Sequence, residues 1–251
     1  LVFYYNIDGR IKPRDLLGIK HLNPDTIDVI QSEPGNILTA EKYIAIAEEN
    51  INMYPQAIHI LDSFSQLLTA GEKEADIADR YRADSPLLLA RFCRRISNVI
   101  PINKCIVMGI THMISNQSQG AKSPWMEASG RKLQYGVDVK LKASHYTPWD
   151  AGGIQIGQDV HWECLTTATN HRPGGKATSK FRYGYGIDKE AELGELAVSL
   201  GLIKKGGAWF TVGEDKLQGL DNLSTYLRDK PEIYKEYNKQ VREMLGFEVA
   251  V

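Results

Sequence analysis

The chain has 251 residues, a formal net charge of −1, 43% hydrophobic residues and 24% charged ones. That length and apolar content fit one large α/β domain, or one domain with an appendage. The near-neutral balance excludes a broadly basic nucleic-acid binder, so any such contact must come from local patches. Cys93, Cys105 and Cys164 lack metal-ligand spacing, and the first two lie in apolar runs, as buried thiols of a reducing compartment do. No signal peptide or apolar run of membrane-spanning length is recognisable, so a cytoplasmic protein is expected. The chain opens at Leu1 inside an apolar run and reads as a piece of a longer protein.

Leu1–Ile7 is a β-rich apolar run followed at once by Asp8 and Gly9. Pro13–Leu17 predicts a short helix with proline in its first turn, and Thr26–Gln31 a second strand. Thr39 is placed to cap a helix whose apolar face is Ile44, Ala47, Ile51 and Tyr54. Ala57–Ser63, AIHILDS, is a short apolar run ending in a carboxylate. Such a run reads as a buried parallel strand that delivers its last residue to the carboxyl edge of a sheet, where open α/β sheets place their ligands. Strand, helix, strand, helix, strand predicts parallel pairing.

From Leu68 to Asp84 the chain turns polar and charged, as a solvated loop with a frayed helix does. Ser85-Pro86 then starts a helix running to about Val99, with Leu88, Leu89, Phe92, Ile96 and Val99 inward and Arg91, Arg94 and Arg95 beside that face. Such a basic cluster is usually only a solvated face. Lys104–His112 repeats the opening pattern and delivers Thr111 and His112. Asp8, Asp62 and His112 are thus all expected at one sheet edge, a convergence that buried polar groups sustain only when paired or used.

Met113–Gly130 is polar and aperiodic, a loop long enough to be functional. Arg131–Gly136 can form a short helix, Val137–Tyr146 alternates as an antiparallel strand, and Pro148–Gly157 reads as a turn. Asp159–Thr169 pairs back, and Asn170–Lys180 is a basic, glycine-containing loop before a strand at Phe181–Tyr183. A terminal module follows: a helix at Glu190–Leu200, a turn and strand at Ile203–Thr211, and helices at Leu220–Leu227 and Pro231–Leu245. In the last helix, Ile233, Tyr237, Val241 and Leu245 form a packing stripe.

The stretch YGYGIDKEAELGELAVSLGLIKKGGAWFTVGEDKLQG, and NLSTYLRDKPEIYKEYNKQVREML after it, resembles the end of the RecA/RadA recombinase core and its following helices. AIHILDS resembles the Walker B strand of that family and CIVMGITH its next core strand, with a pattern nearest the phage UvsX-like branch. The resemblance implies an α/β RecA-like fold, a doubly wound and mostly parallel sheet with an antiparallel extension and a small C-terminal α+β module. It divides the chain into an ATPase core, residues 1–187, and a C-terminal module, residues 188–251.

Carried over residue by residue, the resemblance implies that Asp62 holds Mg²⁺ through water with Ser63 beside it, that Asp8 replaces the family's catalytic glutamate, and that His112 is the γ-phosphate sensor. It further implies ATP contacts at Tyr183 and Gly184, with His171, Arg172 and Lys176 as candidates to reach a neighbouring subunit's phosphates. DNA contacts fall to Arg91, Arg94, Met113, Ser129, Gly130 and Arg131, within or beside the two stretches where the family has its DNA-binding loops. The cofactors are then ATP and Mg²⁺, and the partners single-stranded and double-stranded DNA in a homo-oligomeric helical filament, with no membrane. Asp8 is one methylene shorter than glutamate, and Ser129-Gly130 stands where the family has two glycines. No G-x-x-x-x-G-K-[ST] occurs, so the phosphate loop is expected to precede the chain, which alone should hydrolyse almost no ATP. A non-hydrolysing mediator paralogue is the alternative, and a hexameric helicase a third reading that the terminal GAWF module disfavours.

Overall fold

The computed structural model describes residues 1–20, 22–76, 85–116, 125–128, 136–168 and 173–247. They belong to two compact units, residues 1–140 with 166–170, and residues 141–165 with 171–251. The short helix expected at Arg131–Gly136 lies almost wholly outside the described residues, as do residues 77–84 and 117–124 of the two long polar stretches.

The first unit opens with β1 (Val2–Asn6), α1 (Pro13–Leu17), β2 (Ile27–Ile30), α2 (Ala40–Met53) and β3 (Ile58–Asp62). It continues through α3 (Ala70–Glu74), α4 (Ser85–Ile96), α5 (Val99–Asn103) and β4 (Ile106–Gly109). The four strands form one wholly parallel sheet in the order β2-β1-β3-β4. The chain therefore leaves β1 toward one side of the sheet and β3 toward the other. The topological switch point lies between them, where open sheets bind ligands at the carboxyl edge.

Alternation along β1 and β3 sends Phe3, Tyr5 and Leu61 to the face covered by Ala47 and Ile51 of α2 and Leu89, Phe92 and Ile96 of α4. The opposite face is open: Ile106 and Met108 are 55% and 52% exposed. Gly109 is required by close approach, because a Cβ there would lie 2.0 Å from the Phe64 ring. Thr39 occupies the N-cap position of α2, but its hydroxyl makes no capping bond. Tyr54 falls just past α2 and is 40% exposed rather than part of its apolar stripe. The helix expected to reach Val99 stops at Ile96, where the Ser97 hydroxyl donates to the Arg94 carbonyl and competes with the helical pattern.

The polar stretch after His112 is not all loop. Its ends pair as β5 (Met113–Ser115) and β6 (Trp125–Glu127), antiparallel, with Glu127 also ion-paired to Lys140. In a hydrogen-bonded sheet of their own, β7 (Val139–Ala151), β8 (Ile154–Thr167), β9 (Lys176–Arg182) and β10 (Gly186–Ile187) lie in sequence order. The expected turn from Pro148 to Gly157 shrinks to Gly152 and Gly153, both at positive φ, as a tight two-residue hairpin demands. Lys176–Lys180, expected as loop, is strand.

The second unit closes on α6 (Lys189–Ser199), β11 (Lys204–Gly206), β12 (Trp209–Val212), β13 (Asp215–Gln218), α7 (Leu220–Asp229) and α8 (Pro231–Met244). Its core gathers Leu193, Ala197, Ile203, Phe210, Leu223, Leu227 and Val241. Leu245, expected on the α8 stripe, is 46% exposed just past the helix end. Among the described residues no helix is long and apolar enough to cross a membrane.

Two buried polar groups dominate the energetics. Asp188 is fully buried and caps α6 through Ala191 N–H. It also accepts from Ser224 Oγ at 2.9 Å and from Arg182 and Arg228, each at 3.2 Å. Burial pushes its carboxyl up, but the bonds from Ser224 and Ala191 and the two guanidinium groups outweigh this and hold it below the usual range. His59, also fully buried, stacks on Phe3 with ring centroids 5.1 Å apart. Its Nδ1 lies 3.3 Å from the Tyr5 hydroxyl, and Nε2 has no hydrogen-bond partner among the described residues. Burial lowers its pKa from 6.5 to about 4.

Because the unfolded chain protonates His59 first, its contribution to stability is complete above pH 6.5 and is lost as pH falls toward 4, by ~3 kcal/mol. Urea denaturation across that window should show this slope, and His59→Leu should flatten it. Replacing Asp188 by alanine should cost ~3–5 kcal/mol, since it removes the α6 cap and the buried acceptor shared by Ser224, Arg182 and Arg228. A thermal melt of that variant matching wild type would contradict the assignment.

Candidate functional site at the carboxyl edge of the parallel sheet

Parallel pairing of β1 with β3 sets Asn6 beside Asp62. The Asp62 carbonyl then accepts from Ile7 N–H at 2.8 Å and Asp8 N–H at 3.1 Å, so the segment leaving β1 is held against the end of β3. This brings the Asp8 carboxylate over the next residue. Asp8 Oδ1 accepts from both the backbone N–H and the hydroxyl of Ser63, at 3.1 and 3.0 Å. Its Oδ2 lies 3.9 Å from His112 Nε2 and 3.8 Å from Arg10 Nε. The Asp8 side chain is only 6% exposed, whereas that of His112 is 38% exposed. One oxygen of Asp8 is thus anchored and the other faces an open edge.

His112 is held by backbone contacts on two sides. Its N–H donates to Ser65 Oγ at 2.8 Å, and its carbonyl accepts from Ala128 N–H at 3.0 Å. The β5–β6 ladder starts immediately after it, with Met113 opposite Glu127. The strand pair thus joins directly to His112, whose ring lies 3.9 Å from Asp8.

Asp62 has a partner that pattern reading missed. The Tyr4 hydroxyl donates to Asp62 Oδ2 at 2.5 Å. Tyr4 precedes Asn6 by two residues on β1, so both project to the face that carries Asp62. Burial and the neighbouring Asp62 and Asp8 carboxylates push the tyrosine hydroxyl up, so it remains a donor. The only signal in the chain was the spacing Tyr4-x-Asn6, legible once the register is known. Asn6, 2% exposed, reaches Gln31 Oε1 at 2.8 Å and the Ile11 carbonyl at 2.9 Å. It braces a groove lined by Asp8, Lys12, Ser32 and Tyr43.

No hydrogen bond of the described residues reaches Asp62 Oδ1. Among the described residues no group of three or more acidic, histidine or cysteine side chains could hold a metal ion. One uncommitted carboxylate oxygen with Asp8 nearby is too little for an all-protein cage. It fits a Mg²⁺ ion that keeps most of its water and arrives with phosphate groups.

The other candidate residues are elsewhere. Arg91 and Arg94 are exposed on α4, while Arg95 beside them is taken by Glu48, with Nη2–Oε1 at 2.6 Å. Met113 is 37% exposed on β5. Lys176, Tyr183 and Gly184 belong to the second unit: Lys176 opens β9 opposite Glu163, and the Tyr183 hydroxyl meets the side chains of Gln155 and Gln158. Gly184 takes φ +70° in the turn to β10. Ser129, Gly130, Arg131, His171 and Arg172 lie outside the described residues.

Residues 191–246 match the family model of the RecA C-terminal domain. Protein RecA of Acholeplasma laidlawii is 28% identical over 224 residues, covering 89% of this chain and 66% of that protein. Protein RecA of Lactobacillus johnsonii is 27% identical over 228 residues, 90% of this chain and 62% of its own length. For Streptococcus gordonii the figures are 27% over 224 residues, 87% and 57%. The chain therefore spans less than two thirds of the length of these relatives. With a parallel sheet presenting Asp8 and Asp62 at its switch point and a match to the RecA C-terminal domain at its end, the chain is similar to RecA proteins over most of its length.

Proposed function

We propose that this chain carries the hydrolysis edge and C-terminal domain of a DNA-dependent ATPase that exchanges DNA strands in homologous recombination. The observation that carries the reading is the convergence of Asp8, Ser63 and His112 at the end of the strand bearing Asp62, in a chain similar to RecA proteins over nearly nine tenths of its length. In this reading Asp62 holds Mg²⁺ through water. Asp8, anchored through Oδ1, orients the attacking water with Oδ2. His112 reports the γ-phosphate to the β5–β6 strand pair and the residues beyond it. Bound Mg²⁺ would neutralise phosphate charge at this edge.

The protein would act in the cytoplasm as a homo-oligomeric helical filament on single-stranded DNA, with ATP between subunits and double-stranded DNA as second partner. Arg91, Arg94, Met113, Ser129, Gly130 and Arg131 would face the DNA. Tyr183, Gly184, His171, Arg172 and Lys176 would serve nucleotide bound at a subunit boundary. The division into residues 1–187 and 188–251, and a place near the UvsX-like branch from His112, belong to the same proposal. The glycine-rich phosphate loop that the reading needs would come from outside these 251 residues. Their lack of a G-x-x-x-x-G-K-[ST] motif equally favours a second reading, a non-hydrolysing mediator that binds DNA or a recombinase.

ATP hydrolysis by the protein joined to its phosphate loop should be stimulated by single-stranded DNA and abolished by Asp62→Asn. A stimulated rate left intact by that substitution would remove Asp62 from the site, and DNA binding without any hydrolysis would favour the mediator. Replacing Arg91 and Arg94 with alanine should weaken single-stranded DNA binding and flatten its salt dependence by about 0.7 in log–log slope per arginine. Fluorescence anisotropy at several salt concentrations measures both quantities.

A further inference from the structure

We propose that Tyr4 decides how Asp62 meets a divalent cation: its hydroxyl occupies Oδ2, leaves one oxygen facing the site, and so favours Mg²⁺ over Ca²⁺. The inference rests on the reading of Asp62 as the cation-holding residue. Three observations carry it. The Tyr4 hydroxyl lies 2.5 Å from Asp62 Oδ2, within the range of a strong, charge-assisted hydrogen bond. Both side chains spring from paired parallel strands, with Tyr4 opposite Ile60 and Asn6 opposite Asp62, so the contact is set by sheet register rather than by a mobile surface pair. The other oxygen, Oδ1, accepts no hydrogen bond from the described residues.

The chemistry of the two cations turns this geometry into selectivity. Ca²⁺ gathers about 6–8 oxygen ligands and readily takes a carboxylate through both oxygens, whereas Mg²⁺ demands octahedral geometry and keeps several waters. A hydroxyl donor on Oδ2 takes one of that oxygen's lone pairs and some of its negative charge, so bidentate coordination competes with the hydrogen bond. Asp62 is thereby biased toward the single-oxygen, water-bridged contact that Mg²⁺ prefers. Tyr4 is a positioning residue, acting through Asp62 rather than on substrate.

The test uses the protein joined to its phosphate loop, with a non-hydrolysable ATP analogue supplied beside the metal, since the site takes its cation together with phosphate groups. Mn²⁺ binding is followed by the electron paramagnetic resonance signal of the free ion, with Mg²⁺ and Ca²⁺ as competitors, for wild type, Tyr4→Phe and Asp62→Asn. Tyr4→Phe removes only the hydroxyl, and its thermal melt should match wild type. In that variant Ca²⁺ should compete about fivefold better relative to Mg²⁺ than it does in wild type. Tyr4→Leu should show the same change and serves if the phenylalanine variant folds poorly. An unchanged Ca²⁺/Mg²⁺ ratio, with Mn²⁺ binding weakened in Asp62→Asn, overturns the role of Tyr4 and leaves the reading of Asp62 standing. Mn²⁺ binding no tighter than to the analogue alone, or unchanged in Asp62→Asn, overturns both.

Discussion

The register between β1 and β3 is the constraint on which the first unit depends. Setting Asn6 against Asp62 does three things at once. It lets the Asp62 carbonyl take two N–H groups from the segment after β1, and it lays the Asp8 carboxylate across Ser63. It also brings the Tyr4 hydroxyl onto Asp62. A slip of one residue would turn Tyr5 and Leu61 out of the core and undo all three contacts together. The hydrophobic pattern that buries Phe3, Tyr5 and Leu61 is therefore also what positions two carboxylates, so stability and chemistry in this unit are not separable quantities.

The second unit is organised differently, around charge rather than register. Asp188 draws an arginine from β9 and another from α7, and caps α6 as it does so. Arg228 also lies over the Tyr185 ring, 5.0 Å from its centroid. Elements far apart in sequence thus share one buried carboxylate, and its neighbours leave it no unpaired oxygen. Such a network specifies how α6, α7 and β9 come together more sharply than apolar packing alone, because each misplaced partner leaves a buried charge.

Much of the first unit is legible in the residues themselves. α1 spans Pro13–Leu17 because proline opens it and Gly18 caps its end, and β3 follows from an apolar run that stops at a carboxylate. Asp8, Asp62 and His112 are legible as strand ends, and the distances now show which of them touch. What pattern reading loses is whatever depends on a partner far along the chain. Tyr4 looks like any aromatic in a buried strand until β3 lies beside it, and Asp188 looks like a helix cap until Arg182 and Arg228 arrive. β5 and β6 are only three residues each, too short for alternation to register above the polar composition around them. The glycine pair at 152 and 153 was visible, but proline at 148 drew the expected turn too wide, because proline is tolerated near the end of an edge strand.

The open face of the parallel sheet has a thermodynamic consequence. Wholly parallel sheets are stable when both faces are covered, yet here Ile106 and Met108 meet solvent and Ile58 and Ile60 are half-buried. Each such side chain forgoes on the order of 1–2 kcal/mol of burial. By linkage, a polypeptide segment that binds this face of the folded state stabilises it by an amount that grows with the logarithm of its concentration over its Kd. The melting temperature of this chain is therefore itself a detector: it reports, without reference to nucleotide or DNA, whether a polypeptide segment has covered this face.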